Sequence, residues 1–231
     1  GIPRGFVSKK IDELYRGANA LAGRNRVALV GGDTNMADSL IISVCVIGDP
    51  PKQPVLRSGA RVGNDIYVTG TLGDSALGLK FLKRASKRSK QKTVARLIRR
   101  HHQPTPRIAA GALLARRRLA TAMIDVSDGL LQELAHICHA SRTGAVIWND
   151  QVPLSQAYRT MAGRNGTGYA LTGGEDYELL FCARIKDRTL IEKLSKQAGV
   201  VTTRIGTCVA PKRGITVLDG AGRALLTDFK G

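Results

Sequence analysis

Stretches with the composition of β-strands alternate with stretches of helical spacing along most of the sequence, and this alternation constrains the fold more than any other feature. Residues 65–69 (DIYVT) are rich in β-branched and aromatic side chains, as strands are. Residues 128–141 repeat their apolar side chains every three or four positions, which is typical of a helix with one buried face. Such alternation predicts an α/β or α+β fold, with mixed sheets and flanking helices.

Applied along the whole chain, the same criteria predict the individual elements. The predicted strands are 27–30, 40–47, 65–69, 122–126, 144–148, 177–183 and two or three more within 201–227. The predicted helices are 8–23, 76–82, 93–101, 106–119, 128–141, a short one within 154–163, and 187–198. Pro50, Pro51 and Pro54 interrupt the pattern and predict a domain boundary near 50–62.

The chain is strongly basic, with 36 Lys and Arg against 18 Asp and Glu and a formal net charge of +18. This balance favours anionic partners such as phosphates, nucleotides or nucleic acids. The excess is concentrated in residues 80–118, which contain no acidic residue. The segment is interpreted first as a solvated face of two helices. Because it lacks interleaved aromatic residues, nucleic acid is expected only as non-specific adhesion at low salt.

The cysteines and the apolar stretches indicate the compartment. Cys45, Cys138, Cys182 and Cys208 lie far apart, without the paired spacing of a zinc site, and each is expected to be a small core residue in a reducing compartment. No apolar stretch has the roughly 20 residues of a membrane span. No secretory leader is recognisable at the start, so a cytoplasmic location is expected.

Three short motifs combine glycine with acidic residues at the boundary of an element. In GGDT (31–34), paired glycines would let a ligand approach the backbone, and Asp33 could hold a divalent cation. The alternative is a β-turn whose Asp bonds its own backbone. In DVSDG (125–129), a predicted helix N-terminus would favour a phosphate, with Asp125 and Asp128 near a metal. The alternative is that Ser127 or Asp128 is a simple N-cap.

The third motif is GGEDYE (173–178), in which three acids surround an aromatic residue, a combination suited to a small cationic or aromatic ligand. The alternative is a turn with solvent-facing acids, the interpretation preferred for Glu178. Residues 69–75 (TGTLGDS) are interpreted as a turn and helix cap, since they lack the pattern of a P-loop.

The motifs GGDT, TGTLGDSALGL, RRHHQPTPRI, IDVSDGL and GGEDYELLF occur here in an order that closely resembles the thiamine-monophosphate kinases. That family belongs to the aminoimidazole-ribonucleotide-synthetase-like superfamily, and the resemblance runs from about Phe6 to the last residue. It implies transfer of the γ-phosphoryl group of ATP to thiamine monophosphate with Mg²⁺, giving thiamine diphosphate. It also implies a homodimer.

The resemblance assigns roles to individual residues. It implies Mg²⁺ ligation by Asp33, Asp125 and Asp128, and a substrate contact by Glu175, whose charge suits the thiazolium cation. No side-chain base is expected, because phosphoryl transfer to an ionised phosphate asks mainly for positioning and charge neutralisation. The residues that match ATP contacts are Tyr15, Gly32, Asp33, Arg57 and Ser127.

The resemblance also predicts the domain organisation. Residues 1–55 would be the remnant of an N-terminal, dimer-forming domain that binds ATP and Mg²⁺, and 56–231 a complete or nearly complete C-terminal α/β domain. The chain is expected to be an incomplete fragment of the enzyme, truncated at the N-terminus and slightly at the C-terminus. Two alternatives stay open: another enzyme of the same superfamily, or a basic nucleic-acid-binding module built on the same fold.

Overall fold

The computed structural model describes residues 1–49, 53–83, 91–163, 166–226 and 229. The chain divides into two compact units, Gly1–Asp49 and Pro50–Gly231, and each is described by itself. Residues 84–90, in the middle of the basic segment, lie outside the described residues.

The first unit contains one helix, α1 (Ser8–Arg24), which confirms the helix predicted over 8–23. The strands predicted at 27–30 and 40–47 are wrong, because these residues adopt no regular pairing. Within residues 1–49, all of which are described, the β-pairing is an isolated bridge between Ile2 and Met36. A strand needs a neighbour for its backbone groups, and here the apolar side chains remain exposed, Val30 at 90% and Ile47 at 89%.

The second unit is built on a mixed sheet of seven strands in the order β2-β4-β1-β5-β3-β6-β7. Neighbouring strands are antiparallel except β3 and β6, which are parallel. This arrangement confirms the predicted mixed α/β fold. The strands are β1 (Asp65–Thr69), β2 (Ala120–Asp125), β3 (Gly144–Trp148), β4 (Leu179–Ala183), β5 (Thr202–Val209), β6 (Ile215–Leu218) and β7 (Ala224–Leu226).

Helices flank the sheet, close to the predicted positions. They are α2 (Asp74–Lys83), α3 (Lys92–His102), α4 (Ile108–Arg116), α5 (Leu130–Ser141), α6 (Gln156–Met161), α7 (Gly168–Thr172) and α8 (Arg188–Ala198). The prediction missed α7. Its five residues (GYALT) are too few to show a helical period, and they run directly into a glycine pair.

Strands β1 and β4 separate two apolar cores, because successive side chains of a strand point to opposite faces. On one face, Ile66 and Leu180 pack in a cluster that includes the buried side chains of α5. On the other face, Tyr67 and Phe181 stack with ring centres 5.2 Å apart, against buried residues of α4 and α8. The sheet is therefore covered by helices on both sides.

Three of the four cysteines, Cys138, Cys182 and Cys208, are buried as predicted. The prediction is wrong for Cys45, which is exposed because the stretch around it forms no strand. Among the described residues, no helix is both long and apolar enough to cross a membrane.

Candidate functional site

A pocket of about 280 Å³ lies in the second unit where four segments meet. Helix α2 contributes Ser75, Ala76 and Leu79, and the end of α3 contributes His101. The loop before α5 contributes Ser127 and Asp128, and the loop before β4 contributes Gly174 and Glu175. Two of the motifs predicted to carry function are thus neighbours in space.

The DVSDG and GGEDYE loops are joined directly through their backbones. The Glu175 N–H donates to the Ser127 carbonyl (2.7 Å), and the Tyr177 N–H donates to the Val126 carbonyl (2.9 Å). A side chain at Gly174 would not fit, because its Cβ would lie 2.3 Å from the Ser127 carbonyl oxygen. The glycine is therefore required for the close approach that makes the two loops one wall of the pocket.

Two residues of this wall have strained backbones. Glu175 (φ 65°) and Tyr177 (φ 51°) lie in the left-handed region. For residues other than glycine, this conformation costs about 1 kcal/mol or more each, and it persists only where the surroundings impose it. The hydrogen bonds to Ser127 and Val126 supply that constraint, so the direction of the Glu175 side chain is set by the fold.

The start of α5 differs from a simple N-cap. The helix begins at Leu130, and its cap position is Gly129. Neither Ser127 nor Asp128 caps it; instead, buried Glu133 accepts hydrogen bonds from the Ser127 hydroxyl (2.9 Å) and the Asp128 N–H (3.2 Å). The alternative interpretation of this motif as an N-cap is therefore wrong.

The carboxylates of Asp125 and Asp128 are exposed, and in the described part of the chain neither has a hydrogen-bond or ion-pair partner. Both act on Tyr177. Its pKa is raised above the usual value, first by burial and then by the negative charges of Glu175, Asp125 and Asp128. Three acids thus surround one tyrosine and form a negative surface beside the pocket.

Asp176 connects the motif wall to helix α2. It is almost fully buried, and its carboxylate accepts hydrogen bonds from the backbone N–H groups of Gly73 (2.5 Å) and Ser75 (3.1 Å). Burial raises the pKa of Asp176 to about 7, and the two hydrogen bonds oppose that shift. The first turn of α2 is therefore capped by a residue distant in sequence, whereas the sequence predicted a local cap.

Glu178 is not the solvent-facing acid that was expected. Its side chain is fully buried and accepts two hydrogen bonds from Arg107 (both 2.6 Å), one from Arg100 (2.9 Å) and one from the Thr69 hydroxyl (2.6 Å). The expectation of a solvated basic face is also wrong for these two half-buried arginines. A buried carboxylate requires charged partners, and the basic segment provides them.

His101 contacts both helix α2 and the motif wall. Its Nδ1 atom lies 3.0 Å from the Ser75 hydroxyl oxygen and 3.3 Å from Oε2 of Glu175. The imidazole is mostly buried, whereas the Glu175 side chain is about half exposed.

The chain is similar to known proteins in sequence and in fold. Residues 61–219 match the model of the AIR synthase related protein, C-terminal domain. The chain is 40% identical over 214 residues to the thiamine-monophosphate kinase of Salmonella typhimurium, covering 92% of this chain and 65% of that relative. The thiamine-monophosphate kinase structure from Stenotrophomonas maltophilia superposes with a TM-score of 0.80 at 32% identity, over 95% of this chain and 69% of that chain.

The chain belongs to the thiamine-monophosphate kinase family. A further solved structure, AaThiL complexed with AMPPCP and TMP, superposes with a TM-score of 0.77 at 26% identity and covers 96% of this chain and 68% of that chain. The chain spans about two thirds of the length of each of these three relatives.

The structure brings together some of the residues that resemblance to thiamine-monophosphate kinases predicted. Ser127, Asp128 and Glu175 line the pocket, and Asp125 ends β2 close to Tyr177. Arg57 is exposed and is not part of the pocket lining; its carbonyl accepts a hydrogen bond from Ser141 (3.3 Å).

The remaining predicted residues belong to the first unit. Gly32 lies beside the Tyr15 hydroxyl, since a Cβ at this glycine would be 3.9 Å from that oxygen. Asp33 accepts hydrogen bonds from the Thr34 N–H (2.8 Å) and the Asn35 amide (2.9 Å). The bond from the Thr34 N–H is the side-chain-to-backbone bond named in the alternative for GGDT, but residues 31–34 form no turn; the contact of Asp33 with ATP and Mg²⁺ stays a prediction.

Sequence reasoning missed the pocket residues Ser75 and His101 and the connecting role of Asp176. Ser75 and His101 lie within TGTLGDSALGL and RRHHQPTPRI, two motifs shared with thiamine-monophosphate kinases. Neither motif carries a local pattern that pairs its residues with a glutamate much further along the chain. The signal in the sequence was that both motifs occur together with DVSDG and GGEDYE in the pattern shared with thiamine-monophosphate kinases.

Proposed function

We propose that this protein phosphorylates thiamine monophosphate with ATP and forms thiamine diphosphate. The observation that carries the proposal is the convergence of Ser127, Asp128 and Glu175 on one pocket, from motifs far apart in sequence. Membership of the family and the likeness to AaThiL complexed with AMPPCP and TMP support the same substrates.

In the proposed reaction, an oxygen of the acceptor phosphate bonds to the γ-phosphorus of ATP, and the bond from that phosphorus to ADP breaks. The acceptor phosphate is ionised near neutral pH, so no side-chain base is required. The Glu175 carboxylate would bind the thiazolium cation, and the Ser127 hydroxyl would contact the nucleotide. The chain's contribution is to hold donor and acceptor in line and to exclude competing orientations.

The residues beside the pocket fit a Mg²⁺ ion that is shared with nucleotide phosphates. No cluster of three or more His, Cys, Asp or Glu side chains that could bind a metal occurs within the described residues. However, Mg²⁺ is commonly held by one or two carboxylates together with phosphate oxygens and water. Asp125 and Asp128, both exposed, would provide these carboxylates, and bound Mg²⁺ would neutralise charge on the transferring phosphoryl group.

The proposal includes further parts of the full-length protein. Tyr15, Gly32, Asp33 and Arg57 would contact ATP, with Asp33 as another Mg²⁺ ligand. Residues 1–55 would belong to an N-terminal domain that forms a homodimer, and the enzyme would act in the cytoplasm. Light scattering coupled to gel filtration of the full-length protein tests the dimer, since a monomeric mass would contradict it.

The decisive experiment incubates the full-length protein with Mg-ATP and thiamine monophosphate and separates the products by chromatography. Formation of thiamine diphosphate is expected, and its absence would overturn the proposal. Turnover of another phosphorylated substrate alone would favour a different enzyme of the superfamily. Nucleic-acid binding that survives near-physiological salt, without turnover, would favour the basic binding module.

A further inference from the structure

His101 closes a ring of contacts around Glu175. Its Nδ1 atom is 3.3 Å from Oε2 of Glu175 and 3.0 Å from the Ser75 hydroxyl. The Ser75 N–H donates to Asp176 (3.1 Å), which follows Glu175 in the chain. The ring therefore runs from Glu175 through its neighbour to Ser75, then through the imidazole and back to the glutamate side chain.

The chemistry of these groups fixes which of them carries a hydrogen at this 3.3 Å contact. An ionised carboxylate only accepts hydrogen bonds, so the Nδ1 atom must carry the hydrogen for its approach to Glu175 to be favourable. The same Nδ1 atom lies 3.0 Å from the Ser75 hydroxyl oxygen, so both contacts hold the imidazole at one atom. Ser75 is itself almost fully buried, and so it forms a rigid support.

These contacts restrict both the backbone conformation and the side-chain rotamers of Glu175. Its left-handed backbone and its N–H bond to Ser127 set where the side chain leaves the loop. About half of the side chain is exposed, and an exposed glutamate samples several rotamers unless a partner holds it. The contact of His101 with Oε2 limits that freedom and leaves Oε1 available to a ligand.

We propose that His101 is a positioning residue that orients the Glu175 carboxylate toward the cationic ring of the substrate, with Ser75 fixing the imidazole. This inference rests on the proposed function, because it takes thiamine monophosphate as the ligand of Glu175. Because His101 contacts Glu175, the proposal assigns it an effect on substrate binding and not on phosphoryl transfer.

The first test is steady-state kinetics of the full-length protein at saturating Mg-ATP. His101→Ala is expected to raise the KM for thiamine monophosphate up to about fivefold, the upper end for a partly exposed charged pair, with kcat and the KM for ATP little changed. His101→Asn, whose amide nitrogen reaches near the Nδ1 position, is expected to recover most of the loss. His136→Ala is the matched control, because that histidine is exposed on α5 and does not line the pocket.

A double-mutant cycle separates positioning from a general structural role. If His101 acts through Glu175, the double variant His101→Ala, Glu175→Gln binds substrate no more weakly than Glu175→Gln alone. Additive losses would overturn the proposal. Thermal unfolding of each variant identifies any that fails to fold. If His101→Ala does not fold, the cycle is repeated with His101→Asn in its place.

A second readout uses the charge of the ligand. Calorimetry compares thiamine monophosphate with 3-deazathiamine monophosphate, whose ring carries no positive charge. The wild type is expected to bind the charged thiamine monophosphate more tightly than the uncharged analogue. This preference should be lost in Glu175→Gln and reduced in His101→Ala. If His101→Ala keeps the full preference for the charged ligand and the wild-type KM, the proposed role of His101 is wrong and the proposed function is unaffected. If the wild type does not phosphorylate thiamine monophosphate, both the proposed function and the proposed role of His101 are wrong.

Discussion

Arg107 and Glu178 form a two-fold hydrogen-bonded ion pair, with both N–O distances 2.6 Å, at a position where the glutamate is completely buried. Arg100 adds a third charged hydrogen bond to the same carboxylate. Glu178 lies immediately before β4, and the arginines flank the segment between α3 and α4. Arg100 therefore attaches the helix that carries His101 to the end of the loop that carries Glu175, and Arg107 attaches the start of α4 to the same carboxylate.

Glu178→Gln is expected to lower the free energy of unfolding by about 2–4 kcal/mol, because it leaves two half-buried guanidinium groups without their counter-charge. Denaturation in urea measures this loss. Arg223→Gln is the control: it removes a pair with Asp219 in which the arginine is 80% exposed, and its effect should be small. Equal effects of the two substitutions would contradict the interpretation.

Asp176 predicts a pH dependence of stability. Its pKa is raised from the usual 3.8 to about 7, so the folded state holds a proton that the unfolded state has released. This contribution to stability is fully present below 3.8 and is lost as the pH rises to about 7, with a limiting slope of about 1.4 kcal/mol per pH unit. Asp176→Asn should remove this component from unfolding curves recorded between those limits. An unchanged curve would contradict the assignment, and Glu192→Gln, exposed on α8, is the control.

Gly174→Ala tests the close approach of the two motif loops. The added Cβ would meet the Ser127 carbonyl at 2.3 Å, so the loops must separate. We expect a loss of about 2 kcal/mol in the free energy of unfolding, together with a higher KM for thiamine monophosphate. Gly17→Ala in α1, where a Cβ meets nothing within 4 Å, should maintain or increase stability. Wild-type kinetics in Gly174→Ala would show that the loops can separate without consequence for the pocket.

Asp128→Asn tests the Mg²⁺ proposal. Loss of one carboxylate ligand should raise the Mg²⁺ concentration for half-maximal activity at least about tenfold, since even outer-sphere partners contribute that much. Activity is titrated with MgCl₂ at fixed ATP. Glu192→Gln removes an acid from the opposite side of the sheet and should leave the titration unchanged. A lower kcat with an unaltered Mg²⁺ midpoint would contradict metal ligation by Asp128.

The sequence predicted the second unit well because its signals are local. Residues 65–69 and 128–141 have the periods of a strand and a helix, and both formed as expected. The stretch 40–47 has equally strong strand composition, yet it forms no strand. Composition gives a stretch the capacity to pair, whereas pairing requires a second strand in register, and residues 1–49 provide none beyond the isolated Ile2–Met36 bridge.

The candidate site was predictable where one motif carried its own chemistry, and not where function depends on contact between motifs. The structure places Ser127, Asp128 and Glu175, which the family pattern selected, in one pocket, and their roles toward nucleotide, metal and substrate stay predictions. Glu178 was misjudged because its arginine partners lie more than 70 positions earlier in the chain, at separations of 71 and 78 residues. No local window contains both the acid and its counter-charge, and so burial of the acid could not be inferred.

The backbone hydrogen bonds that join DVSDG to GGEDYE are independent of side-chain identity. Replacing the partly exposed Tyr177 would therefore change the surface beside the pocket without disconnecting the loops. Inserting or deleting a single residue in either loop would instead shift every donor past its acceptor and move Glu175 away from His101. Loop length, more than composition, is the property that descendants of this sequence have to preserve.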